Sequence, residues 1–300
     1  MDLYFGDMKQ IALFLCLLPL WLPAQQKAPR CFRLPALLPE VSGLYLQSPD
    51  SLWWHNDSGG LPTLYCTDAR GRLLDTLRLA AHNRDWEDLT ADDAGNFYIG
   101  DFGNNSNARR DLQIYIYNPT RGQLDSIQFS WPDQSAFPPP EAQRNFDAEG
   151  FFWFRDSLHL FSKDHYRYGH SLTKHYVLPA RPGPQRALLR DSLVLPRRVV
   201  TAAAISPDGQ TVALLSYTFR KILGFIPWSA ATIFYFRDFE GSHFLQGKRY
   251  RRRAPSFLLA TQFESLDFLD NRRVYIASEK TLHIRQKAKR VKLRKRHFRD

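Results

Sequence analysis

Five times along the chain, an alternation of apolar and polar positions opens just after a small or acidic residue. It breaks at a turn of three to six residues, then returns as a second apolar run that ends in polar residues. The copies are EVSGLYLQSPDSLWWHND (40–57), DWEDLTADDAGNFYIGDFG (85–103), DAEGFFWFRDSLHLFSKD (147–164), TAAAISPDGQTVALLSYT (201–218) and QFESLDFLDNRRVYIASE (262–279). A period of two is that of a half-buried strand, and turns reading SPD, ADDAGN, RDS, SPDG and LDN have the chemistry of hairpins. Aligned on Ser42, Glu87, Glu149, Ala203 and Glu264, the copies are spaced by 45, 62, 54 and 61 residues. Each unit then has room for about four strands. Further strand-like runs fill the gaps: LQIYIYN, LDSIQFSW, TKHYVL, ALLRDSLVL and TIFYFRDF. No long helical periodicity interrupts them.

The pattern predicts an all-β fold, a single β-propeller of five four-stranded blades, or six if one long spacing hides a degenerate blade. The last copy runs out of strands after TLHIRQ (281–286), and RCFRLPALL (30–38) can supply the missing one, closing the ring by joining the chain ends. The propeller is expected over 25–284, with a leader at 1–24 and a basic tail at 285–300.

This geometry collects the polar ends of every copy at one mouth of the central channel, and the hairpin turns, with Asp92 and Asp93, at the other. The mouth gathers Glu40, Asp85, Glu87, Asp88, Asp147, Glu149 and Glu264. The second-strand ends HNDSGG, GDFGNN, SKDHY, SYTFR and SEK surround it. Carboxylates crowded in a narrow tunnel repel, more so as the local dielectric falls. Compensation can come from a bound hard cation, from protonation, or from Lys163, Arg220 and Lys280. Among cations Ca²⁺ is favoured, because it takes six to eight oxygen ligands in a flexible arrangement. The metal candidates are Glu40, Asp85, Glu87, Asp147, Glu149 and Glu264. Acids beside backbone amides at strand ends can equally just bond those amides. Scattered His residues and the few Cys argue against zinc.

Composition narrows the classes. With 44% hydrophobic and 14% aromatic residues in 300, the chain can bury a large core and is not disordered. Lys9 precedes an apolar run at 11–22, too short to span a bilayer but of the length of a secretory signal, with Ala24 suited to precede the cleavage point. The mature chain is then expected outside the cytoplasm without a transmembrane span. There Cys31 and Cys66 are either a disulfide or two free thiols. The formal charge of +11 concentrates in KRYRRR (248–253) and RQKAKRVKLRKRHFR (285–299). In an exported protein such runs suit anionic lipid or polysaccharide better than nucleic acid.

The blocks HNDSGG, DWEDL with YIGDFGNN, DAEG, SKD, TAAAISPDG with ALLSYT, and IASE together resemble a family of secreted bacterial β-propellers of unassigned activity, over about residues 38–279. More distantly, the acid-and-glycine opening of each blade is similar to calcium-dependent propellers of the gluconolactonase class, phytase-like esterases and strand-repeat binding propellers. The resemblance implies a ligand site at the channel mouth. The fourth copy departs from it, with Ala202 and Ala204 where the family has Gly and an acid, which weakens that quarter of the ring.

Two functions fit. In the first, the mouth binds a glycan, peptide or envelope component. Asn56, Asp57, Asp101, Asn104, Asn105, Lys163, Asp164, Tyr217 and Glu279 are the contact candidates, and Trp53, Trp54, Phe102, Tyr166 and Tyr217 offer flat apolar surfaces. Aromatics at strand positions more often serve the core, however, and Trp53 and Trp54 read as alternating in and out of a blade. In the second, a cation assists hydrolysis of a phosphoester or lactone, with Glu87 or Glu149 as general base and His55 or His165 moving protons. The chain has neither a Gly-x-Ser-x-Gly elbow nor a His-Glu-x-x-His motif. The binding reading is favoured because acids cluster without an identifiable nucleophile.

Overall fold

The computed structural model describes residues 28–164, 171–222, 226–254, 261–281 and 283–298. The expected leader, His165 and Tyr166 lie outside the described residues. A short N-terminal strand, β1 (Cys31–Arg33), precedes five antiparallel sheets. Blade one is β2 (Val41–Ser48), β3 (Ser51–Asn56), β4 (Thr63–Thr67) and β5 (Leu73–Arg78). Blade two is β6 (Trp86–Ala91), β7 (Phe97–Asp101), β8 (Gln113–Asn118) and β9 (Gln123–Ser130), with β13 (Gly183–Arg186) added in parallel along β9. Blade three is β10 (Asp147–Phe154), β11 (Ser157–Lys163), β12 (Leu172–Pro179) and β14 (Leu188–Val194). Blade four is β15 (Val199–Ile205), β16 (Val212–Ile222), β17 (Ile226–Arg237) and β18 (Lys248–Arg253). Blade five is β19 (Phe263–Asp270), β20 (Arg273–Ser278) and β21 (Lys287–Lys292), completed by β1.

The chain ends do close the ring, through Cys31 opposite Lys289 and Arg33 opposite Lys287. The expected boundary at residue 284 is too early. Thr281 and Ile284 pair in an isolated bridge, and the third strand of blade five comes from the basic run beyond them. That strand hides in the sequence because long cationic stems cover apolar surface while their heads stay wet. Ala288 and Val291 are buried, and the Lys289 ammonium lies 5.8 Å from the Phe263 ring centre.

Five apolar cores lie between consecutive blades. One joins Phe102 and Phe129 of blade two to Phe151 and Tyr176 of blade three. Another joins Val41 and Trp54 of blade one to Tyr275 and Ala277 of blade five, so the ring is continuous. Trp53 and Trp54 point to opposite faces of β3 and bury in different cores, as alternation requires. Trp53, Trp54 and Phe102 are therefore structural and offer a ligand no flat surface. Cys31 is exposed, Cys66 is buried, and both are free thiols.

The innermost strands β2, β6, β10, β15 and β19 pack around the channel, each against the next and β19 against β2. One edge of each inner strand faces the channel, and its backbone groups need partners. Side chains of neighbouring blades supply them. Ser42 donates to the Glu87 carbonyl, Ser265 to the Ser42 carbonyl, and Thr201 to the Phe263 carbonyl at 2.7 Å. Thr90 accepts from the Trp153 amide at 3.2 Å, and Asp267 from the Leu46 amide at 2.7 Å. Asp88 accepts from the amides of Leu89, Phe151 and Ala203, at 2.9, 3.1 and 3.4 Å, and so links blades two, three and four.

Every inner strand also carries a register shift near its start, between Val41 and Leu44, Trp86 and Leu89, Ala148 and Gly150, Val200 and Ala202, and Phe263 and Ser265. The bulge aims one side chain into the mouth. It places Thr201, not Ala203, in line with Glu87, Glu149 and Glu264, so the repeat alignment of blade four was two residues out.

Blade three buries a chain of polar rings that the sequence pattern did not reveal. His159 Nδ1 meets His175 Nε2 at 2.9 Å, and His175 Nδ1 meets Asp191 Oδ1 at 2.9 Å, with Phe161 stacked on His175. Burial, then the neighbouring His175, holds His159 down at about 3. An unfolded histidine takes its proton near 6.5, so between these values the unfolded state binds more protons and acid favours unfolding. The stability difference between a His159→Phe variant and the wild type should shift toward the variant as pH falls from about 6.5 to about 3. The limit is about 1.4 kcal/mol per pH unit, read by urea unfolding. A constant difference would refute the neutral, buried state.

Candidate metal centre

Seven carboxylates meet where the bulges and second-strand ends converge. Oxygens of Asp57, Glu264 and Glu279 lie within 4.8 Å of one another, as do those of Asp57, Asp85 and Glu87, and those of Glu87, Asp147 and Glu149. The shared members Asp57 and Glu87 join the three groups into one continuous arc. Glu87, Glu149 and Glu264 are the bulge residues of β6, β10 and β19. Asp147 opens β10, Asp85 precedes β6, and Asp57 and Glu279 follow β3 and β20. Blade four adds no carboxylate among the described residues, with Thr201 in place of the acid, as the polarity of TAAAIS foretold.

Burial dominates the electrostatics. It pushes Glu87 well above the usual carboxylate range, reinforced by Glu149, Asp57 and Asp147 and opposed by Lys163. Glu264 is raised by burial and then by Glu279, and Asp85 by burial and then Asp147. Asp57 is pushed up to about 7 by burial, helped by Asp85 and Glu279 and opposed by the Ser58 amide and Lys163. Glu149 is raised by burial although Lys163 pairs with it directly. Burial pulls Lys163 down, but Glu149, Tyr217, Asp147 and Glu264 outweigh it and hold the ammonium charged. Lys163, with Arg109 beside Asp85, thus faces an arc of seven acids.

The other expected site residues divide. Glu40 is exposed and joins none of the three groups. Its carbonyl accepts the Asp57 amide and its amide donates to Asn56 Oδ1, so the chain turns there and Asp57 takes the place expected for it. Asp88 is not at the mouth, because its carboxylate bonds amides along the inner strands. Asn56 donates to the Leu37 carbonyl, and Asn104 bridges Asp147, Phe146 and Arg109, so both hold loops. Asp101 accepts from the Asp85 amide and pairs with Arg109 at 3.1 Å, and Asp164 accepts from the Leu172 amide. Asn105 is exposed, Tyr217 is half-buried, and Lys280 is exposed. His55 is fully buried, packed edge-on against Trp86, with burial holding it down at about 4. It joins none of the carboxylate groups, so the expected proton-transfer role is not supported.

The donor set fits a hard cation. Its donors are all carboxylate oxygens, and two oxygens on opposite sides of a calcium ion are about 4.8 Å apart, given ligand distances of about 2.4 Å. Gly103 keeps the space open. A Cβ there would sit 2.0 Å from Glu87 Oε1 and 2.5 Å from Asp85 Cγ. A cavity of about 830 Å³ opens on the opposite face, among the hairpin turns that carry Asp92, Asp156 and Asp208. Its acids serve those turns: Asp92 caps the Asn96 amide and Asp208 the Gln210 amide. This cavity and the metal-binding chemistry therefore lie on opposite faces.

Among the described residues no helix is long and apolar enough to cross a membrane. No protein-family model and no curated protein matches the chain. Solved structures similar to it include a gluconolactonase from Xanthomonas campestris, at 13% identity over 87% of this chain and 89% of that one, TM-score 0.47. The α-L-arabinofuranosidase of Fusarium graminearum is similar at 9% identity over 89% and 98%, TM-score 0.46. Virginiamycin B lyase of Staphylococcus aureus is similar at 9% identity over 88% of each chain, TM-score 0.41.

Proposed function

We propose that the channel mouth binds a divalent cation, Ca²⁺, and that the protein is an exported binding propeller that holds an oxygen-rich ligand, such as a glycan of the cell envelope, on that ion. The arc of seven carboxylates, opposed by Lys163 and by Arg109 beside Asp85, carries this reading, because a bound cation is what removes their repulsion without protonating them. Asp57, Asp85, Glu87, Asp147 and Glu149 would hold the ion, with Glu264 and Glu279 beside it. When bound, it supplies Lewis acidity toward a ligand oxygen. The chain's own residues orient the ligand: Lys163 presents a charged donor from the end of β11, and Tyr217 stands on the neighbouring second strand. The hairpin of β16 and β17 runs past Thr218 on the side of the sheet where the mouth opens.

The alternative is hydrolysis of a lactone or phosphoester at the same place. The raised affinity of Glu87 for a proton favours it, since a general base works best when its pKa approaches the ambient pH.

Calorimetric titration of chelator-treated protein with CaCl₂ tests the cation. Saturable binding is expected, weakened about tenfold or more by Glu87→Gln and by Gly103→Ala, and unchanged by Asp93→Asn on the far face. No binding by the wild type would refute the reading. A glycan array and a panel of lactones and phosphoesters, each run with and without Ca²⁺, then separate the functions. Turnover lost in Glu87→Gln would make the protein a hydrolase.

A further inference from the structure

The run KRYRRR is the outer strand β18, where the fold gives it a setting that charge alone does not. Arg251 lies opposite Phe234 and Arg253 opposite Thr232, so these two guanidiniums rise on one face of blade four, one alternation apart. Arg198, in the link that enters β15, brings its guanidinium 5.7 Å from the centre of the Phe234 ring on that face. Arg294 follows β21 and reaches the same place. The four arginines and Thr232 line a cavity of about 330 Å³, and among the described residues no carboxylate lines it. Lys248, at the start of the same strand, lies outside the cavity and is paired with Asp238 at 3.0 Å.

We infer that this arginine pocket is a binding site for a phosphate group, carried by a small molecule or by a lipid headgroup. Four guanidiniums from three separate stretches of chain converge on one cavity, which like charges do at a cost unless an anion joins them. Each presents a planar fork of N–H donors that matches two oxygens of an oxyanion at once. Four such forks exceed what a carboxylate's two oxygens can accept and suit a phosphate, with three or more acceptors and up to two charges. The cavity has room for the phosphate and part of what it is attached to. The site is on the rim of blade four, separate from the acidic mouth, and does not depend on the cation.

Two probes test this on the full chain at low ionic strength: calorimetry with inorganic phosphate, and co-sedimentation with phosphatidylcholine vesicles with and without phosphatidic acid. The wild type should bind at least one probe. Binding of phosphate alone identifies a soluble ligand, and binding of the acidic vesicles alone a lipid headgroup; either supports the site. Arg251→Gln/Arg253→Gln should weaken binding about tenfold or more, whereas Lys248→Gln/Arg249→Gln, which removes two charges from the same strand outside the cavity, should change it less than about threefold. If the first pair does not fold, Arg198→Gln/Arg294→Gln, from the other two segments, should show the same loss. Binding of neither probe, or equal loss in the two pairs from β18, would overturn the inference, the latter reducing it to bulk charge attraction.

Discussion

Chelator-treated protein is expected to melt about 5–10 °C below the same protein at a Ca²⁺ concentration about a hundredfold above its dissociation constant. Binding to the folded state alone adds about 2.7 kcal/mol at that excess, and a domain of this size gains about 2–4 °C per kcal/mol. The sign of the Glu87→Gln effect should invert with the ion. Without Ca²⁺ the variant melts at or above the wild type, because one buried member of a self-repelling arc has been neutralised. With Ca²⁺ it melts below, because a ligand has been lost. The gap between calcium-loaded and chelated wild type should widen as pH rises through about 7, where Asp57 releases the proton that competes with the ion. Differential scanning calorimetry reads all three. An identical melting temperature with and without the ion would leave the acids as a structural cluster.

Asp88→Ala should be among the most damaging single substitutions, costing about 3–6 kcal/mol. The carboxylate is 1% exposed and accepts amides from three blades, so its removal leaves three buried donors without an acceptor, at about 1–3 kcal/mol each less partial relaxation. Burial raises its pKa, and the three amides oppose that rise. Against a typical stability of about 5–15 kcal/mol, the loss would show as a large fall in the urea midpoint. Thr90→Val removes one interblade acceptor, for the Trp153 amide, and should cost about 1 kcal/mol. Asp88→Asn keeps one acceptor oxygen and should lie between the two. A cost below about 1 kcal/mol for Asp88→Ala would show that Asp88 does not tie the blades together.

The five blade openings were legible because an inner strand buried on both flanks and a tight hairpin turn each leave a sequence pattern. Ring closure was legible because the last blade was visibly short of a strand. What failed did so for local reasons. Alternation cannot register a bulge, so Ala203 stood where Thr201 belongs. An acid before a strand looks the same whether it points into the channel, as Asp147 does, or to solvent, as Glu40 does. Asp57 and Glu279 were read as contacts of a ligand, since nothing in a single strand says that its end will face an acid from another blade. Asp88 sits beside Glu87 and reads as another acid of the mouth, yet its carboxylate bonds amides of the neighbouring inner strands. The histidine chain of blade three joins residues sixteen apart in sequence at each step, through pairing that no spacing rule specifies.

The closure of blade five has a consequence for the order in which the molecule can be made. Among the described residues β1 is the first strand to be synthesised, and its partner β21 ends at residue 292. At about 5–20 residues per second, about 13–52 s pass between the appearance of the two. Until then β1 has no place to pair, and the core between blades five and one lacks Ala288. Folding to the closed ring therefore waits for β21, and any factor that meets the nascent chain before that strand appears meets the ring open.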